Sequence, residues 1–468
     1  MARAFLTTIL AAAMIAGHAL AGPADLEAAE RALAQAASRQ AVSIADMVKH
    51  QPARERGMFN VIDAGAMGDG DTDDTAAFQR ALEACAEAGG GVVFAPTGRY
   101  AIRGNLRIPS YVTLEGVWRS PSSWTPADLE SVERGTVLLA YAGKGDADGE
   151  PFIFLDGAAT LKGVTIFHPE QIRSENPHPY PWTIAGEGDG CSILQVVMIN
   201  PYQAVDFGTR VVGRHYINGL YAYALHKGLF INQCYDVGRV ENVHFWPFWD
   251  LDPDSPLWKY TMEHGTAFIF GRTDGQMVTN SFCIFYNVGM HFIRVPLPTP
   301  EGQRQRHGEA AGVFTNCYLD VTPTAVKVDA VMSHAGISFV NGMIMSLVEV
   351  GPENRGPVKF TGTGFWAVQD QAEHARIQGS GTVMFNSCHF SHWDRVREGA
   401  ACLDIDSAHA IITASEFESP RDGMTAVRLG PNVESAVVVG NRIARGAAID
   451  TSDAAEDADL QIGLNTSR

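Results

Sequence analysis

The chain has 468 residues, 46% of them hydrophobic and 19% charged, with a formal net charge of −18 and seven cysteines. This balance excludes a disordered chain, and the acidic charge counts against nucleic acid and anionic membranes as partners. An odd cysteine count without a CxxC pair argues against a full disulfide framework or a zinc site, leaving mostly buried thiols with room for one or two bridges.

Residues 1–21 read as a cleavable signal peptide: Arg3, an apolar run from Phe5 to Ala16, then small residues from Ala19 to Ala21. A secreted or periplasmic protein is expected, with no membrane contact after signal removal. Residues 22–57 are Ala-rich with helical periodicity and read as a helical leader or cap. From Phe59 a short apolar strand enters a Gly/Asp turn, and Asp71 to Thr75 offer side-chain oxygens to the first turn of a helix. Ala77, Phe78, Ala81, Leu82 and Cys85 form its apolar stripe, and Gly89-Gly90-Gly91 ends it. Strands at Val92–Phe94 and Tyr100–Ile102 follow, separated by a Pro-Thr-Gly turn.

Over Phe59 to Trp118 this order of parts resembles the N-terminal cap of the pectate-lyase-like right-handed parallel β-helix superfamily, closest to its epimerase-like branch. Beyond Val164 a loose repeat supports the same reading. Short strands recur with Asn242, Asn280, Asn316, Asn341 and Asn386 at one place in the repeat, 25 to 45 residues apart. Asn at a fixed place suits a left-handed corner and a ladder of side-chain amides. The expected fold is therefore all-β: a single right-handed parallel β-helix over 58–450, an N-terminal helical cap, and a tail over 451–468. A β-sandwich or propeller is the alternative.

Rungs of a β-helix repeat at strand separation, about 4.8 Å, so carboxylates on nearby rungs fall at the separations used by glycosidases. In the polygalacturonases that the chain resembles, catalytic aspartates lie just before the second strand of successive coils. By that resemblance the corner holds Gln203 and Asp206, His226 and Lys227, Glu263 and His264, Asn287, and Asp320. The connection between Phe245 and Thr266 swells there into an aromatic and acidic insertion. Trp246, Phe248, Trp249, Trp258 and Tyr260 are candidates for stacking on sugar rings, with Trp182 and Asp320 as further substrate contacts. Asp250, Asp252, Asp254 and Glu263 are candidates for acid, base or calcium ligand, and His226, Lys227 and His264 for base or carboxylate binding. The bland alternative is a flap packed on the helix flank, with aspartates solvated at turns. The connection from Phe167 to Gly190 reads as the opposite groove wall or a surface loop. Pro296 to Glu309, with Arg304, Arg306 and His307, reads as a contact for an acidic sugar or a solvated face.

The polygalacturonase motifs Asn-Thr-Asp, Asp-Asp, Gly-His-Gly and Arg-Ile-Lys are not intact; the one Asp-Asp, Asp73-Asp74, belongs to the helix start. The leading expectation is an exported glycoside hydrolase without a cofactor, with Glu263 and an aspartate of 250–254 as acid and base. The alternatives are a lyase or epimerase acting on uronic-acid glycans, with calcium if a lyase, or a non-catalytic glycan-binding protein. In each case the partner is a polysaccharide or oligosaccharide.

Overall fold

The computed structural model describes residues 57–118, 120, 134–297 and 305–467. The expected signal peptide, the helical leader up to residue 56 and Arg304 lie outside the described residues.

Short segments rich in β-branched and aromatic residues cannot bury both faces alone, so each coil stacks on the next. Among the described residues, 38 strands join in one continuous sheet whose neighbours all run parallel. A coil visits three faces in turn, as in Lys227–Ile231, Arg239–Glu241 and His244–Phe245, whose partners one coil later are Thr266–Phe270, Thr273–Thr279 and Phe282–Ile284. This is a right-handed parallel β-helix. An antiparallel hairpin, Val295–Pro296 with His307–Gly308, stands on its flank.

Inside, like residues stack at the rung spacing. Phe314, Phe339, Phe360 and Phe385 have successive ring centroids 5.0, 5.2 and 5.0 Å apart, and Phe365, Phe390 and Phe417 repeat this at 4.8 and 4.7 Å. The corner between the second and third faces is left-handed at Asn242, Asn280, Asn316 and Asn341. The Asn316 amide donates to Asn280 at 3.1 Å, and Asn242 to Asn218 at 3.0 Å. Asn386 departs from this expectation. Ser387 takes the left-handed angle in that coil, and the Asn386 amide donates to Thr413 Oγ1.

The cap helix, α1, spans Thr75–Glu87 and buries the expected stripe. Its capping differs from expectation. Asp74 is buried and accepts from the backbone N–H groups of Met67 and Gly68, tying down the preceding turn instead of the helix. Asp73 accepts from the Thr75 N–H at the helix start. The solenoid also continues past residue 450: Asp459–Gly463 pairs with Ser435–Val439, and Thr466 bridges to Arg442. The seven cysteines are all buried free thiols, so neither of the bridges left open by the sequence is formed.

Candidate functional site

The first face presents two outward rows in register. One runs Phe154, Ala185, Asp206, Phe230, Ile269, His291; the other runs Trp182, Gln203, Lys227, Thr266. Between them lies a cavity of about 510 Å³ lined by Asp148, Trp182, His226, Lys227, Phe230, His264 and His291 among others. Trp182 and Phe230 stack with centroids 6.3 Å apart, and the Lys227 ammonium sits 5.9 Å from the Trp182 ring, within reach of its π face. A second cavity of about 500 Å³ lies toward the N-terminus, lined by Arg107, Phe154, Glu187 and Arg210. Asp148 and Thr209 line the first cavity and their chain neighbours Glu150, Pro151 and Arg210 the second, so the two cavities are neighbours along this face.

At the centre of the groove His226 stacks on Tyr202, with centroids 5.0 Å apart, and its Nδ1 lies 3.4 Å from the Tyr260 hydroxyl. That hydroxyl is 3.1 Å from the Tyr202 hydroxyl. Burial, then the charges of Lys227 and His264, push His226 down to about 4, so its ring is neutral near pH 7. Burial and the Tyr202 hydrogen bond push the Tyr260 phenol upward, so it keeps its proton. His291 Nε2 pairs with Asp329 at 2.9 Å, which holds the Asp329 carboxyl below its usual range.

The structure thus brings Trp182, His226, Lys227, His264 and Tyr260 together, while the acidic candidates are engaged elsewhere. Helix α2, Pro256–His264, is capped by Ser255, whose Oγ accepts from the Trp258 N–H and donates to Asp250 at 2.5 Å. Asp250 is buried in that cap, and Asp252 accepts from the Asp254 N–H. Glu263 has a side chain 76% exposed, beside His264 at 3.9 Å. None of Asp250, Asp252, Asp254 and Glu263 lines the cavity. These four therefore do not form the expected acid/base pair of the groove. The Asp250 and Asp252 carboxylates accept the loop's own donors, and the exposed Asp254 carboxylate points to solvent 4.0 Å from the Lys259 ammonium. Among the described residues no group of three or more His, Cys, Asp or Glu could hold a metal.

The aromatic candidates divide likewise. Trp249 is only 5% exposed, packed with Phe248, Leu257, Tyr223 and Val197 in a second apolar layer and covered by Arg173 at 4.7 Å. Trp246 packs against the same layer, and Trp258 lies against Phe285 at 4.9 Å. The insertion is thus chiefly a flap over the third face, and its α2 end delivers Tyr260 and His264 to the groove. Asp320 ends the strand Tyr318–Asp320 outside the cavity; burial raises its carboxyl. Sequence reasoning missed Phe230, His291, Asp148, Tyr202 and Asp329. Aligning Lys227–Ile231, Thr266–Phe270 and Val288–Phe292 puts Phe230, Ile269 and His291 at one outward position, a signal that was available.

Residues 58–139 match the family described as Rhamnogalacturonase A/epimerase, pectate lyase-like. The chain is 56% identical over 112 residues to Mannuronan C5-epimerase AlgE3 of Azotobacter vinelandii, covering 21% of this chain and 6% of that protein. Alginate lyase 7 of the same organism is 54% identical over 46 residues, covering 10% and 5%. The matches therefore span a small fraction of these relatives. Among solved structures, the bacteriophage Phi29 gene product 12 N-terminal fragment superposes with a TM-score of 0.55 at 11% identity, over 92% of this chain and 73% of that one. That similarity is one of fold alone.

Proposed function

We propose that this chain, whose fold and N-terminal segment are those of the pectate-lyase-like right-handed parallel β-helix superfamily, acts on uronic-acid polysaccharides by removing the proton next to the carboxylate. The observation that carries this reading is the set of ionisable groups lining the cavity of about 510 Å³: the imidazoles of His226, His264 and His291 and the Lys227 ammonium, with the Tyr260 phenol beside His226 and a single carboxylate, Asp148, so that the cavity lining holds no carboxylate pair. Glycosidic hydrolysis needs two carboxyl groups flanking the bond, so the hydrolase expected first from the sequence gives way to the lyase or epimerase alternative. The partial matches to a mannuronan epimerase and an alginate lyase support the same choice.

The chemistry follows from the side chains. A carbon beside an ionised carboxylate is a very weak acid, because its carbanion would add charge to an anion. Lys227 beside that carboxylate offsets the charge, and His264 adds to the offset when protonated. Neutral His226 takes the proton, and the C–H electron pair passes into the carboxylate π system. Two outcomes share this step. A proton returned to the opposite face inverts the carbon. Otherwise the pair forms a C4=C5 double bond, the C4–O bond breaks, and the departing oxygen takes a proton. Tyr260, beside His226, is the donor to the departing oxygen in the elimination, whereas the inversion takes its proton from water on the other face of the sugar. Trp182 and Phe230 support the sugar's C–H face.

The test is solvent exchange. In deuterated water, the wild-type chain is expected either to leave deuterium at C5 of mannuronan or another polyuronate, by epimerisation, or to leave a C4=C5 double bond with no hydrogen at C5, by elimination, and Lys227→Met is expected to do neither. Unsaturated ends absorbing in the ultraviolet would mark the lyase outcome, and altered uronate composition by proton NMR the epimerase. New reducing ends without exchange or unsaturation would overturn the reading in favour of hydrolysis.

A further inference from the structure

The third face carries its own outward row: Tyr221, His244, Phe282, Tyr318, Met343, Gly364, His389, in register. Its first members stack as a ladder, Tyr221 to His244 at 5.8 Å and His244 to Phe282 at 4.6 Å. The ladder lacks a ring at Gly364, where a cavity of about 550 Å³ opens between Met343 and His389. Those two residues are two rungs apart, about 9.6 Å, so a flat ring between them would sit near one rung spacing from each. That spacing lies within the range of ring stacking, about 4.5–7 Å. Met343 is a flexible wall: a Cβ at Gly364 would come within 2.8 Å of its sulfur.

Trp366 lines this cavity, 37% exposed, and its register neighbour on the next rung is the small Ser391. Asn341 and Ser387, both exposed, add an amide and a hydroxyl to the rim, and no Lys or Arg contributes to it. The one ionisable lining residue, His389, lies 3.8 Å from Glu416 and 3.5 Å from Glu418, an acidic edge that repels a carboxylate. An exposed indole, a slot one ring wide, hydroxyl and amide partners and an acidic edge together describe a receptor for an uncharged sugar ring.

We propose that this cavity is a second, non-catalytic binding site for a neutral pyranose, stacked on Trp366 in the gap that Gly364 leaves. It lies on a different face from the groove and does not depend on the reaction assigned there. It would hold the protein on a neutral glycan while the groove works on a charged one.

Calorimetric titration of the whole chain with cellohexaose, mannohexaose and a mannuronate hexamer tests it. At least one neutral hexamer is expected to bind and to change tryptophan fluorescence. Trp366→Ala should weaken that binding about tenfold or more. Gly364→Leu keeps the indole but fills the gap, at a position where the backbone is not left-handed, and should weaken it likewise. Both variants should retain wild-type C5 exchange on the mannuronate hexamer, which separates this site from the groove. Failure of both neutral hexamers to bind would overturn the proposal. So would equal binding by both variants, or a Trp366-dependent site that takes only the mannuronate.

Discussion

The outward row of the first face changes character along its length. From Phe154 to His291 it is aromatic, aliphatic or imidazole apart from the buried Asp206, and it borders an open groove. From Lys327 it continues as Glu349, Arg376, Asp404, Arg428 and Asp450, alternating in sign at every rung. Both halves are built of the same parallel rungs, with register shifts only in the second, where Thr324–Val328 pairs with Leu347–Val350 and Thr425–Leu429 with Ala448–Asp450. The second half satisfies its charges among neighbours, as Arg428 and Asp450 do at 3.8 Å. The first leaves Lys227 over an aromatic platform, available to a ligand. A β-helix face becomes a site where its ladder stops neutralising itself. The largest expected effect follows: His226→Ala should lower the C5 exchange rate by about 10²–10⁴-fold, the range for losing a general base, while Arg428→Gln leaves it unchanged. Equal losses in both would erase the distinction between the halves.

The fold was far more legible than the site. Asn at the left-handed corner and alternating short strands encode a local conformation, and local conformation is what sequence pattern reports. Trp249 and Trp246 resemble a sugar platform in sequence because an aromatic residue carries no mark of what covers it. Only the assembled flap shows that Trp249 packs against Leu257 and Tyr223. Asp250 misleads for a similar reason: a carboxylate capping a turn has the composition of a catalytic one. His226 and Lys227 were legible because they stand at a corner of the coil, and His291 was not, since its partner rungs lie tens of residues away. The cap helix repeats the lesson in Asp74, which ties the preceding turn and not the helix.

Acid should affect the two halves together through their cores. Burial pushes His168 down to about 3, and His215 and His374 to about 4. Below the unfolded value near 6.5 the unfolded chain binds protons that the folded chain refuses, so stability falls as pH drops from about 6.5 toward 4. Each histidine contributes on the order of 3 kcal/mol to that loss. Urea midpoints measured at pH 7, 5.5 and 4 should decline steadily, and a flat series would contradict the burial of these rings. Within the groove the sign differs for bound and free protein. A bound carboxylate offsets the positive charges that depress His226, so the acid limb of kcat should lie above that of kcat/KM, which falls near pH 4.

A smaller effect is expected at the N-terminal end of the groove. Arg107 and Arg210 lie 4.8 and 5.1 Å from the Phe154 ring, three rungs from Phe230. Arg210→Ala should raise KM for long oligouronates a few-fold and leave trimers unaffected, because only a long chain spans both cavities. A uniform change across lengths would show that one chain does not span the two cavities.

The smallest effect belongs to the charged half. Cross-strand ion pairs on an exposed face contribute about 0.2–1 kcal/mol each, and Arg428 and Asp450 are each about one-third exposed. Arg428→Gln should therefore lower stability by less than about 1 kcal/mol, with the loss vanishing at high salt as the charges are screened. Reversing the sign is more informative. Arg428→Glu sets three carboxylates, at positions 404, 428 and 450, on consecutive rungs, and the Asp404 carboxyl is already raised by burial. Its destabilisation should exceed that of Arg428→Gln and should shrink when Asp450→Lys is added, since the alternation is then restored at the last rung. A double variant no more stable than Arg428→Glu alone would mean that the rungs are not coupled. The alternation would then be a solvated face, and its contrast with the groove would rest on the aromatic side chains alone.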